Sequence, residues 1–380
     1  MPVTGIRSRG KGCSRAGMTL GVVMVLAACG SDVTSTPTTV VEPTAATTTV
    51  AAATDSQAPT TTSPPTTTST SPTETTMRTW PREEVERADP SIFDYDPVRP
   101  VEYEVVSTHD FSGYEMQRIR FHSGVGGDAF GYLALPVGEP IDGVGVLWGH
   151  GIPADGQDSW VPMSIFACAG VTSIVVDAPY ARPGGNMGEP FAFTDQDREE
   201  QIQLVVDMRR AVDILADLGA ERYGFGGISY GASIGGQLIG VDHRIEAAVL
   251  LLGDGGVVER FFDEEGLPGW PLSQRSVEEI DAWREAMLPI EPSLYIGDSP
   301  AEIFFMNATG DPVIPAAEAE RYQASGPPGS EVNWMEIDAH DIPFADMTIH
   351  DRWLGDRLGV DGDRLDDCLN EIFPNGWDDL

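Results

Sequence analysis

Basic residues are scarce in this sequence, and lysine is almost missing. Of 380 residues, 23 are basic and 60 are acidic, which gives a formal net charge of −37, and Lys11 is the only lysine. A surface with such an excess of negative charge repels the phosphates of nucleic acids and the headgroups of anionic lipids. The composition therefore argues against a nucleic-acid-binding protein. The acids are spread along the chain and indicate a solvated surface.

Cysteines and metal-binding motifs are also rare. The sequence has four cysteines, and no Cys/His spacing resembles a zinc site. Asp361-Gly362-Asp363 begins like a calcium loop but lacks the ligands that should follow. We therefore expect neither a metal nor a cofactor. Cys168 and Cys368 could pair in an oxidising compartment, but a buried free thiol in the apolar segment around Cys168 is an equally good interpretation.

No apolar run near the N-terminus is long enough to span a bilayer. Residues 18–28 have the length of the apolar core of a signal peptide, and four basic residues and no acid precede them. The run ends in Leu26-Ala27-Ala28-Cys29, which resembles the bacterial lipobox, where the signal is cut before a cysteine that then carries lipid. We expect a signal peptide over 1–28 and a lipid anchor on Cys29 at the cell envelope. The alternative is an ordinary secretory signal with a chance cysteine.

The segment after Cys29 has the composition of a linker. It is dominated by Thr, Pro, Ser and Ala, with almost no charged or aromatic residues. Such a segment cannot bury enough apolar surface to fold. We predict a tether over 29–80 that lifts a folded domain over 81–380 away from the membrane.

The folded region begins with strands and continues as alternating strands and helices. Runs at Glu102–Ser107, Tyr114–His122 and Ala129–Leu135 predict an antiparallel start to a sheet. Later alternation predicts an α/β fold, with a mostly parallel sheet covered by helices on both faces. Residues 254–300 interrupt it and are predicted to form a cap. The later strands are predicted at 144–148, 172–176, 223–225, 247–252, 303–306 and 332–337, and the helices at 158–169, 195–218, 230–239, 316–324 and 346–358, before an acidic tail.

A Gly-x-Ser-x-Gly pattern lies where one predicted strand gives way to a helix. Gly227, Ser229 and Gly231 form it. In a nucleophile elbow, a tight turn holds the serine in strained backbone geometry and needs glycine on both sides. The chain has 42 glycines and holds a second, overlapping match around Ser233. Ser233 would fall one turn into the helix, where its hydroxyl would bond a backbone carbonyl, so we predict Ser229 as the nucleophile.

A serine nucleophile needs an imidazole to take its proton and a carboxylate to orient that imidazole. His340 directly follows a predicted strand, whereas His350 falls within a helix, so we predict His340 as the base. Asp311 also follows a strand directly and is the predicted acid. Its rivals, Asp338 and Asp341, lie beside His340 in sequence, and such close neighbours rarely face one another.

These motifs, together with a His150-Gly151 turn after an early strand, occur in the order typical of α/β-hydrolases. From about Val101 to Val360 the chain resembles that superfamily, most closely its dienelactone-hydrolase-like and acetyl-esterase-like members. The resemblance implies an oxyanion hole made by the backbone N–H groups of Tyr230 and Ile152. It also makes His150 a loop-shaping residue. The local sequence is His-Gly-Ile-Pro, not the His-Gly-Gly-Gly of many lipases, which argues against bulky tertiary-alcohol esters.

We therefore expect a serine hydrolase that cleaves small-molecule carboxylic esters through an acyl-enzyme. One alternative is a catalytically silent lipoprotein that binds a ligand or partner. Another is a serine peptidase, because the same groups serve ester and amide chemistry. Four aromatic residues of the predicted cap either line a substrate pocket or pack against the domain beneath: Phe261, Phe262, Trp270 and Trp283.

Overall fold

A computed structural model describes residues 85–138, 140–141, 143–262 and 266–376. The predicted signal peptide, Cys29 and the tether lie outside these residues. The described chain forms β1 (Tyr103–Phe111), β2 (Tyr114–His122), β3 (Asp128–Pro136), β4 (Val144–Gly149), β5 (Thr172–Val176), β6 (Arg222–Ile228), β7 (Ile245–Leu251), β8 (Glu302–Ala308) and β9 (Glu331–Met335). Its helices are α1 (Trp160–Cys168), α2 (Asp195–Asp217), α3 (Tyr230–Val241), α4 (Val277–Met287), α5 (Ala316–Ser325), α6 (Met347–Leu358) and α7 (Gly362–Ile372).

The strands form one nine-stranded sheet in the order β1-β2-β3-β5-β4-β6-β7-β8-β9. Strands β1, β2, β3 and β5 pair antiparallel, and the pairs from β5 through β4 to β9 are parallel. Strand β4 is buried along its whole length, as expected for a central strand with helices on both sides. Strand β1 is longer than predicted, because its hairpin with β2 continues to the pair Phe111 and Tyr114.

Apolar side chains form a layer on each face of the sheet. Helices α2, α3 and α4 contribute to one layer, and α1, α6 and α7 contribute to the other. The prediction of an α/β fold with a mostly parallel sheet and helices on both faces is confirmed. Because the carboxyl ends of the parallel strands lie at one edge, the loops that follow them are brought together there.

Helix α7 corrects the prediction of an acidic tail. Asp361 caps the helix by accepting a hydrogen bond from the Asp363 N–H at 3.0 Å. Leu365, Cys368 and Leu369 are buried at helical spacing, while the acids lie on the other face. The acidic composition obscured an amphipathic helix whose apolar face became clear only when it packed on the domain.

A disulfide joins Cys168 at the end of α1 to Cys368 in α7. The sequence left open whether these cysteines pair. The bond connects residues 200 positions apart. In the chain-entropy model a disulfide usually contributes about 2–4 kcal/mol, and more when the closed loop is long. It therefore holds the C-terminal helix against the first helix of the domain.

The predicted cap segment contains α4 and short 3₁₀ turns between β7 and β8. A capping box starts α4: the Ser276 side chain accepts from the Glu279 N–H, and the Glu279 side chain accepts from the Ser276 N–H. The indole N–H of Trp283 in α4 donates to the Asp197 carboxylate of α2 at 2.8 Å. The segment is therefore attached to the domain through α2. Among the described residues, none of the helices has the length and apolar character needed to cross a bilayer.

Candidate active site

Ser229 occupies the turn between β6 and α3. Its φ of 53° and ψ of −117° are strained for a residue with a side chain. A Cβ on Gly231 would lie 2.2 Å from the Gly149 carbonyl oxygen, and one on Gly227 would lie 2.5 Å from the Gly231 carbonyl oxygen. Both glycines are therefore required by the close approach of backbone segments. The local geometry is that of a nucleophile elbow.

The structure brings Ser229, His340 and Asp311 into one hydrogen-bonded row. The His340 Nε2 lies 2.9 Å from the Ser229 Oγ, and the His340 Nδ1 lies 2.7 Å from the Asp311 Oδ2. An ionised carboxylate can only accept, so the ring proton lies on Nδ1. Nε2 then carries a lone pair and accepts from the serine hydroxyl. This arrangement can remove the serine proton during nucleophilic attack.

Asp311 is held by the loop that follows β8. Its Oδ1 accepts from the backbone N–H groups of Val313 at 2.7 Å and Ile314 at 2.9 Å. The Asp311 side chain is only 1% exposed, while that of His340 is 21% exposed. The carboxylate is thus shielded and fully bonded, and the imidazole edge is accessible from solvent.

The alternative candidates for nucleophile, base and acid make other contacts. Ser233 donates to the Asp254 carboxylate at 2.9 Å and contacts the Ser229 carbonyl oxygen at 3.3 Å. His350 is buried in α6, where its Nδ1 lies 3.1 Å from the Asp351 Oδ1. The Asp341 Oδ1 accepts from the Ile342 N–H at 2.7 Å. Asp338 packs against Gly310, where an added Cβ would meet its carboxylate at 2.1 Å.

The turn after β4 lies beside the nucleophile. A Cβ on Gly151 would lie 3.9 Å from the Ser229 Cβ. The His150 Nε2 accepts from the Ala178 N–H at 3.0 Å, so the ring proton is on Nδ1 and donates to the Gly151 carbonyl at 2.7 Å. The Tyr180 hydroxyl donates to the same carbonyl at 3.1 Å. His150 and Tyr180 thus clamp the loop, which is the loop-shaping role that the resemblance to α/β-hydrolases implied for His150.

The two predicted oxyanion donors flank this region. Tyr230 is the first residue of α3, and the first N–H groups of a helix have no partner within the helix. Ile152 immediately follows the clamped Gly151. Burial raises the pKa of the Tyr180 and Tyr230 phenols well above their ordinary range, so both side chains are neutral. The oxyanion role of the two N–H groups stays a prediction.

Aromatic rings continue outward from Tyr230. The Phe191 ring lies edge-on to Tyr230 at 6.2 Å, and the Phe261 ring lies edge-on to Phe191 at 5.1 Å. Trp283 is 1% exposed and packs against Phe261 at 5.6 Å, whereas Trp270 is 81% exposed. Trp283 is therefore part of the packed interior. Phe191 and Phe261 are partly exposed and can contact a ligand.

The carboxylate that anchors Trp283 is itself buried. Asp197 also accepts from the N–H groups of Ala192 and Phe193, each at 2.8 Å. Burial raises the pKa of Asp197, and these hydrogen bonds oppose the rise. Asp197 therefore connects α4 to the loop that carries Phe191.

Sequence reasoning missed Asp158 and Tyr180. The Asp158 Oδ2 accepts from the Gly151 N–H at 3.0 Å. Neither residue belongs to a motif with a defined spacing, because each reaches the turn through tertiary packing. The DAPYARP stretch after β5 is conspicuous for its prolines, but nothing in it indicates a bond back to Gly151.

Within the described residues, the one group that could hold a metal ion is Cys168, Cys368 and Glu371. Both sulfur atoms are in the disulfide, so they offer no thiolate ligand.

No protein-family model matches the sequence, and no curated protein does. Solved structures do match. Acetyl xylan esterase from Paenibacillus sp. R4 is 16% identical with a TM-score of 0.54, and the match covers 70% of this chain and 98% of that chain. Acetyl xylan esterase 1 from Thermoanaerobacterium sp. JW/SL YS485 is 13% identical with a TM-score of 0.57, and the match covers 73% and 97%. Acylaminoacyl peptidase from Pyrococcus horikoshii is 14% identical with a TM-score of 0.50, and the match covers 67% of this chain and 44% of that chain.

These likenesses concern the fold. Together with the sheet order and the helices on both faces, they establish that this protein has the α/β-hydrolase fold. Folds of this kind carry several chemistries, so the activity must be argued from the site.

Proposed function

We propose that this protein is a serine hydrolase that cleaves carboxylic esters through an acyl-enzyme intermediate. The observation that carries the proposal is the Ser229 hydroxyl on a strained turn, 2.9 Å from an imidazole whose other nitrogen is bonded to a buried carboxylate. This constellation matches the requirements of an activated serine nucleophile.

The reaction follows from the positions of these groups. The Ser229 Oγ forms a bond to the ester carbonyl carbon while His340 takes its proton through Nε2. The carbonyl electron pair moves onto oxygen, where the N–H groups of Tyr230 and Ile152 would stabilise it. The tetrahedral intermediate then expels the alcohol, which receives the proton from His340. Water repeats the sequence on the acyl-enzyme, releases the acid and restores Ser229.

We propose ester hydrolysis ahead of amide hydrolysis because two of the structural neighbours are named as acetyl xylan esterases. Amide hydrolysis is the second candidate, since a third neighbour is named as an acylaminoacyl peptidase. Both reactions use the same nucleophile and oxyanion stabilisation, so only the leaving group separates them.

Labelling and turnover of the full-length protein test the proposal. We expect a fluorophosphonate probe to modify the protein covalently at pH 7–9. We also expect p-nitrophenyl acetate to be hydrolysed at least about 100-fold faster than the matching p-nitroanilide, because an amide leaving group requires full protonation. The absence of both labelling and ester hydrolysis across this pH range would contradict the proposal. Faster anilide cleavage would favour the peptidase.

We also propose that the enzyme is anchored to the cell envelope through lipid on Cys29. Support comes from the order of basic residues, apolar run and Ala27-Ala28-Cys29, all outside the described residues. Mass spectrometry of the mature N-terminus is expected to find a diacylglycerol-modified cysteine. An unmodified N-terminus at another position would rule out the anchor.

A further inference from the structure

Asp158 places a carboxylate near the candidate nucleophile. It belongs to the 3₁₀ turn Gly156–Ser159, which follows the clamped loop at His150 and Gly151. The point that a Cβ of Gly151 would occupy lies 3.2 Å from the Asp158 Oδ2 and 3.9 Å from the Ser229 Cβ. Both side chains therefore lie close to Gly151, and the Asp158 Oδ2 is at most 7.1 Å from the Ser229 Cβ.

The charge of this carboxylate is not offset by a cation. None of the ion pairs formed by the described residues involves Asp158, although its side chain is exposed to solvent. The nearby Asp177 is paired with Arg118. Arg260, which lies close enough to Tyr230 to influence its phenol, is bonded to Asp254 through Nη2 at 2.6 Å and Nε at 3.2 Å. The site thus presents an unpaired negative charge.

Aromatic rings extend from the same corner of the site. Tyr180 bonds the Gly151 carbonyl, and its ring centroid lies 6.4 Å from that of Tyr230. Phe191 continues the row and is partly exposed. The faces of aromatic rings attract cations. Tyr180 and Tyr230 are each only 6% exposed, so within this row Phe191 offers the accessible ring surface. An exposed carboxylate near the nucleophile, without an ion-pair partner among the described residues, is suited to an alkylammonium group.

We propose that Asp158 makes this site selective for esters whose alcohol part carries a positively charged alkylammonium group, and that it disfavours esters carrying a carboxylate. The ester carbon must reach the Ser229 Oγ, and an ammonium group two carbons beyond the ester oxygen has the length to approach Asp158. The two charges would attract each other across a few ångströms of solvent-exposed surface, so the attraction should weaken when salt is added. This inference rests on the proposed ester hydrolase activity.

The test compares two esters of the same shape in the full-length enzyme. Acetylcholine carries the charge, and 3,3-dimethylbutyl acetate replaces the charged nitrogen with carbon. At low ionic strength we expect kcat/KM to be about tenfold higher for acetylcholine, and the preference to shrink with added salt because mobile ions screen it. Monoethyl succinate is expected to be a poorer substrate than neutral ethyl butyrate.

Two substitutions locate the source of the preference. Asp158→Asn keeps an oxygen that can accept from the Gly151 N–H but removes the charge, so the ratio of kcat/KM for the two acetates is expected to fall to about one. A general loss of activity cancels in this ratio. Asp155→Asn is the matched control, because Asp155 caps the same turn through the Gln157 N–H. It should leave the ratio unchanged.

The outcomes separate the two proposals. If the wild type hydrolyses both acetates equally well, or if Asp158→Asn keeps the preference, the charge-selective role of Asp158 is wrong and ester hydrolysis still stands. If Asp158→Asn slows both esters equally, the residue only positions the loop, and the inference fails. If the wild type neither hydrolyses any ester nor reacts with fluorophosphonate, both proposals fail.

Discussion

Ser229→Ala is expected to lower kcat for p-nitrophenyl acetate by about 10⁶-fold and to abolish labelling by fluorophosphonate. Without the hydroxyl no acyl-enzyme can form, and His340 has no proton to accept. In serine hydrolases with this arrangement, loss of the nucleophile removes nearly all of the catalysis that the triad provides, leaving what substrate binding and the oxyanion donors supply. Steady-state kinetics and mass spectrometry of the labelled protein measure both effects.

Ser233→Ala is the matched control. Ser233 lies in the overlapping Gly-x-Ser-x-Gly match, and its hydroxyl is engaged by Asp254. The substitution should retain labelling, although the loss of a buried hydrogen bond to a charged group would lower the free energy of unfolding by about 1–3 kcal/mol. Labelling that survives in Ser229→Ala and disappears in folded Ser233→Ala would mean that the elbow has been assigned to the wrong serine.

Asp311→Asn is expected to lower kcat by about 10⁴-fold while the protein remains folded. The N–H groups of Val313 and Ile314 require an oxygen at the position of Oδ1. The asparagine amide would therefore direct its NH₂ group at the His340 Nδ1, which must then accept. The ring proton moves to Nε2, and the imidazole can no longer take a proton from Ser229.

Kinetics at neutral pH, together with thermal unfolding of the variant, test this expectation. Asp341→Asn is the comparison, since the Asp341 carboxylate bonds only the neighbouring Ile342 N–H among the described hydrogen bonds. Asp341 is exposed and lies outside the hydrogen-bonded row of Ser229, His340 and Asp311. Its substitution should therefore change kcat by less than about threefold. A folded Asp311→Asn enzyme within tenfold of the wild type would exclude Asp311 as the group that orients His340.

The strain at Ser229 also bears on the alternative of a silent binding protein. A non-glycine residue at φ 53° costs about 1–3 kcal/mol, and the surrounding structure must hold it there. The turn also fits only because Gly149, Gly227 and Gly231 have no Cβ that would crowd the neighbouring backbone. A protein that only bound a ligand would gain nothing from this cost, which supports the catalytic proposal.

Much of the fold could be predicted from local patterns. Strands β2 and β5 have the predicted bounds, because alternating and continuous apolar runs are local properties of strands. The glycine spacing around Ser229 predicted the turn, because only glycine fits where backbone segments approach closely. Helix α7 was missed because its many acids concealed the spacing of Leu365, Cys368 and Leu369.

The sequence by itself determined the α/β pattern and the turn at Ser229. It also predicted Asp311 and His340, each after a later strand, as the acid and the base that would activate the serine. It did so because each of these features depends on a few neighbouring residues. Only the tertiary structure decided that Cys168 pairs with Cys368 and that Asp158 and Tyr180 hold Gly151. These contacts join segments whose proximity depends on strand order and helix packing, which no local periodicity records.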